Sequence, residues 1–254
     1  MALTINKYFS LENQRDPVLA EVAGTIREIY PIGLNTLSPE YNQYPGIIKA
    51  YEIIGENIGP PEQKPGPYAK IWSSLLKSLR STNGKRINGT TYGFVPGFSA
   101  DLILESYEDE SLTRTKRIAF AVSLIGPFYS ICGVDETSVK EKGDEFGRGY
   151  HAINVVTASP FKEFERDFNC IKKLIEEKFL EYKFIPFNAC MMHIKDMETP
   201  HSAGQDCTVY NALFNHLFNF YNYSFPVLRG DRLYGYDKSK LAKVTLTAPP
   251  GNLD

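Results

Sequence analysis

Cysteine is scarce in this chain, with four residues spaced 38, 20 and 17 positions apart and no C-x-x-C pair among them. That spacing offers no paired zinc knuckles and fits reduced thiols in a cytoplasmic protein better than a disulfide framework. Signature loops are missing too: there is no G-x-x-x-x-G-K-[ST], G-x-G-x-x-G after a strand, G-x-S-x-G or H-E-x-x-H. A phosphate loop, a dinucleotide fold, a hydrolase elbow and a zincin helix therefore have no support, and no cofactor is expected. The longest apolar stretch, Ile118 to Val134, is broken by Ser123, Gly126-Pro127 and Ser130, so no membrane span is expected. The first residues, MALTINKYFSLENQRDP, lack the continuous apolar core of a signal peptide. Neither sign of charge prevails: the net charge of −2 gives no general reason to expect nucleic acid or an anionic membrane as partner.

What the chain does have is length and aromatics. Its 254 residues suffice for one sizeable core, expected as a single domain of residues 1–254 with a helical N-terminal layer over 1–90 and a sheet-and-helix core over 91–254. Tyr and Phe, 16 of each against one Trp, suit packing between sheets and helices and also protein-binding surfaces.

Asp16-Pro17 supplies an N-cap and a first-turn proline, and Val18, Val22, Ile26 and Ile29 then share one helical face. A helix-like piece, GIIKAYEIIGENI, follows. A further helix from Pro67 carries Ile71, Leu75, Leu76 and Leu79 and stops at Asn83-Gly84. The period then falls to two in ADLILESYED, KRIAFAVSLI and YHAINVVTA, which read as strands, with FYSICGV as another after the Gly126-Pro127 bend. Ser159-Pro160 offers a second helix start, with Phe161, Phe164, Phe168, Ile171, Ile175 and Phe179 as its stripe. KFIPFNACMMHI reads as extended, Asp206 as the cap of a helix through TVYNALFNHLFNFY, and RLYGY and KVTLT as strand-like, while Gly230-Asp231 reads as a turn. Adjacent strands with few β-α-β alternations predict an α+β fold: a mainly antiparallel sheet with helices packed on one face and an N-terminal helical layer.

Three places invite chemistry. Cys190, His193, His201 and Cys207 form a C-x2-H-x7-H-x5-C series that supplies the ligand types of a zinc site, although Cys190 and His193, three apart in an extended segment, point to opposite faces. Cys207, at a helix start, is the alternative nucleophile with His201 as its base, opposed by the charge of Asp206. The third is charge: ESYEDE (Glu105 to Glu110) and DETSVKEKGDE (Asp135 to Glu145) hold 9 acidic and 2 basic residues near the ends of neighbouring strands. Glu105, Glu108, Asp109, Glu110, Asp135 and Glu136, with Tyr107, Tyr129 and Phe128 as aromatic anchors, predict an acidic surface for a basic protein partner, where an ordinary solvated loop is the plainer reading.

The segments SLIGPFYSICGVDE, SPFKEFERDFNCIKKLIEEKFLEYKFIPF and the later ALF and LYGY resemble bacterial immunity proteins of polymorphic or contact-delivered toxin systems, over roughly residues 100–236. The resemblance implies a cytoplasmic, non-enzymatic protein that neutralises a cognate toxin by occluding it, and it assigns no site residues. The rival expectations are a cysteine-nucleophile or metal-dependent enzyme built on Cys190 to Cys207, and a scaffold domain without a toxin partner. Nothing in the sequence specifies an oligomer.

Overall fold

The computed structural model describes residues 11, 15–59, 64–139, 149–200, 202, 207–216 and 226–236. The first helix, α1 (Pro17–Ile29), starts where expected: the Asp16 carboxylate accepts from the N–H groups of Val18 and Leu19. Leu19, Val22, Ala23, Ile26 and Ile29 form its buried face, with Val18 half-buried at the margin. A short α2 (Pro39–Gln43) leads to α3 (Pro45–Asn57). α4 (Pro67–Asn83) buries Trp72, Leu75 and Leu79 and ends on Gly84 in the left-handed region, φ 63°. Trp72 belongs to that buried face, a position that the leucine and isoleucine spacing alone did not single out.

The sheet is built from β1 (Ile87–Gly89), β2 (Gly97–Glu108), β3 (Leu112–Ser123), β4 (Phe128–Val139) and β5 (His151–Thr157), each antiparallel to the next. Two short strands join in parallel: β6 (Lys183–Phe184) along the start of β4 and β9 (Val227–Arg229) along β5. A separate two-stranded pair is made by β7 (His193–Ile194) and β8 (Cys207–Thr208). The protein thus has the α+β, mainly antiparallel fold expected, and among the described residues no helix is long and apolar enough to cross a membrane.

Strand alternation sorts the core. Phe98, Ala100 and Leu102 of β2, Ile118, Phe120 and Val122 of β3, and Tyr129 and Ile131 of β4 share one face through direct cross-strand pairs. α4 and α5 cover that face: Trp72 of α4 stacks on Phe98 with centroids 5.5 Å apart, and Tyr129 donates its hydroxyl to Glu176 of α5 (Glu165–Lys178) at 2.8 Å. Gly133 of β4 lies under Phe164, where a Cβ would come within 2.6 Å of the ring. The second face, with Ser130 and Cys132, is closed by the turn α6 (Phe187–Cys190) and by α7 (Val209–Leu213). One hydrophobic cluster runs from Leu19 through the sheet to Phe214.

Several local expectations change. Ser159 does not cap α5; its hydroxyl accepts from the N–H of Asp231, and a 3-10 turn, Lys162–Phe164, precedes the helix while Phe161 stays at the surface. The Gly230-Asp231 turn holds, with Gly230 at φ 82° and the Asp231 carboxylate accepting from Leu233 N–H. RLYGY is a series of turns rather than a strand, whereas KVTLT lies outside the described residues. KFIPFNACMMHI is not one extended piece: Pro186 begins a helical turn that takes in Cys190 before β7.

Candidate functional site

The Cys190 to Cys207 stretch comes apart on folding. Cys190, in α6, is fully buried with its thiol 3.4 Å from Ser130 Oγ of β4. Cys207, also fully buried, pairs with Ile194, whereas His193 pairs with Thr208. Paired residues share a face and neighbours along a strand alternate, so His193 points away from Cys207. The helix that follows is capped by Thr208, not Asp206: its hydroxyl accepts from Asn211 N–H and the Asn211 side chain accepts from Thr208 N–H. Burial pushes both thiols up to about 12, which keeps them protonated at neutral pH. His201 and Asp206 lie outside the described residues, and among those described no three His, Cys, Asp or Glu side chains converge as metal ligands.

The acidic segments fold quite differently as far as Val139, and residues 140–145 of the second one lie outside the described residues. β3 places Arg114, Lys116 and Arg117 between them, and each cation reaches a carboxylate. Arg114 clasps Asp135 with two hydrogen bonds, 3.1 and 2.8 Å, and Lys116 lies 3.0 Å from Glu105 and 3.8 Å from Glu163 at the start of the α5 region. On the opposite face Arg117 bridges Asp101 of β2 and Glu136 of β4, both at 2.7 Å. This clasp ties three strands and is largely inside: Arg117 has 14% of its side chain exposed and its Nε is buried without a hydrogen-bond partner. Burial raises the Asp101 carboxyl above its ordinary range, against the opposing pull of Arg117. Beside it Thr90, Ser99, Asp101, Arg117 and Tyr210 line a cavity of about 10 Å³, the size of one water.

Of the residues expected on a binding surface, Tyr129 and Phe128 are fully buried core side chains and Asp135 is buried in its arginine pair. Tyr129 lies under α5 because β4 continues the hydrophobic alternation of Ile131 through it, a placement that residue type does not disclose. Glu136 belongs to the Arg117 clasp. What stays at the surface is the β2–β3 hairpin tip: Glu105, Tyr107, Glu108, Asp109 and Glu110 are exposed on strands that run past the buried part of the sheet. Asp109 organises the turn, its Oδ1 accepting from the N–H groups of Ser111 and Leu112 at 2.8 and 2.7 Å and its Oδ2 from the Tyr107 hydroxyl at 2.9 Å. Tyr107 is therefore tied to the turn by its hydroxyl while 57% of its surface stays in solvent. These hydrogen bonds, those of Ser111 N–H foremost, lower the Asp109 carboxyl below the usual aspartate range.

Sequence reasoning passed over Arg114, Lys116 and Arg117. Their spacing on a strand, with 114 and 116 on one face and 117 on the other, was the signal that could have shown them interleaved with the acids. The chain matches no protein-family model, no curated protein and no solved structure.

Proposed function

We propose that this is a protein-binding protein that neutralises a basic toxin by occluding it, with the β2–β3 hairpin tip as the first surface to meet the partner. The observation that carries this reading is the turn-capped tip, on which Tyr107 stands exposed among Glu105, Glu108 and Glu110. A preorganised aromatic loses little entropy on binding, and the surrounding carboxylates accelerate encounter with a cation-rich surface. The resemblance of residues 100–236 to toxin-immunity proteins supplies the biological setting.

The test is affinity for the product of a toxin-like gene adjacent to this one, measured for the full chain and for Glu108→Lys/Glu110→Lys. Asp109 is left in place because it holds the turn. The expected result is a complex weakened by about tenfold or more, chiefly through slower association at low salt. An unchanged association rate removes the tip from the interface.

A further inference from the structure

We infer that the outer edge of β2 beyond Ile103 accepts an extended, lysine-rich segment of the partner as an added β-strand; this rests on the reading of the acidic tip as the binding surface. β1 covers β2 only from Ala100 to Leu102, and the last main-chain bond on that side runs from Ile103 N–H to Arg86 O at 2.9 Å. The chain entering β1 is turned away there, because α4 ends at Gly84 and Lys85 reaches across to Asp167 of α5. β2 nevertheless continues to Glu108, with Glu105 to Glu108 exposed and no described strand outside them.

The register shows which backbone groups face outward. Asp109 N–H donates to Leu112 O, so the pairs Tyr107–Arg114 and Glu105–Lys116, two and four residues back, exchange main-chain bonds with β3. The N–H and C=O of Ser106 therefore point away from the sheet, and the bulge between Ile103 and Glu105 sets this phase. An outward pair of this kind is a template for strand addition.

Charge selects the occupant. Pairing with a second copy would bring two strands bearing Glu105 and Glu108 together, and like charges across a pair are unfavourable. A strand with lysine at alternate positions carries them on one face, where they meet Glu108 with opposite sign.

The probe is a blocked heptapeptide alternating lysine and valine, titrated into the 15N-labelled full chain, with a glutamate–valine peptide as control. Expected are shifts and slowed exchange of the Ser106 amide with the lysine peptide alone. Ser106→Pro, which removes an outward N–H and leaves the β3 ladder intact, should weaken binding by about tenfold, whereas Ser106→Val should bind as the parent does. The remaining amide spectrum reports whether Ser106→Pro is folded. Loss of binding in Glu108→Lys/Glu110→Lys but not in Ser106→Pro would overturn strand addition and leave the acidic-tip reading standing; indifference to both variants sinks both. The inference also fails if the lysine peptide does not bind, or if the Ser106 amide is already protected in the free chain.

Discussion

At the residue scale, the identity of a side chain said less than the partner it found. Arg117 is the clearest case: removing its guanidinium leaves Asp101 and Glu136 facing each other with little solvent, so Arg117→Ala should cost about 3 kcal/mol in urea unfolding. Asp101→Asn should cost clearly less, since burial already favours the neutral form of that carboxyl. For Asp109 the sign runs the other way. Its folded carboxyl lies below the unfolded range, so its contribution is present above the ordinary aspartate range and is lost as pH falls through the lowered value. Titration followed by NMR should show Ser111 and Leu112 amides keeping their turn shifts until pH drops below that range; a midpoint at the ordinary aspartate value would contradict the turn geometry. The cysteines give a third check. Cys132, Cys190 and Cys207 are buried and Cys170 is half-buried, so a thiol reagent at pH 8 should modify at most Cys170 rapidly in the native protein and all four after unfolding.

At the element scale, the features that were legible in advance are those decided within a few residues. Asp16-Pro17 starts α1 and Asn83-Gly84 ends α4 because capping needs only the local backbone. Ser159-Pro160 has the same local form, yet the hydroxyl is taken by Asp231, 72 residues away, and the helix begins later. Gly46, near the start of α3, shows a constraint of the same long-range kind. A Cβ there would meet the main chain of Glu28 and approach Ile29 Cα to 2.6 Å. Gly46→Ala should therefore push α3 off α1 and cost about 1–3 kcal/mol, read as a lowered midpoint in thermal melting.

At the scale of the whole molecule, the helical N-terminal segment shares one hydrophobic cluster with the sheet. The only tryptophan, Trp72 of α4, lies against Phe98 and Phe120 and so reports the docking of helix on sheet. Fluorescence of Trp72 and far-ultraviolet circular dichroism should give coincident urea transitions; an earlier fluorescence transition would mean that the helical segment comes away separately. Period and punctuation determined the class of fold, the long strands and the main helices, because hydrophobic alternation and capping are written in neighbouring residues. Tertiary structure alone decided that Cys190 and Cys207 sit inert in the core, that β3 pairs its cations with the acidic strands, and that Tyr107 is presented while Tyr129 is buried. These outcomes depend on strand register, which brings together residues distant in the chain and sets the solvent access that governs charge and reactivity.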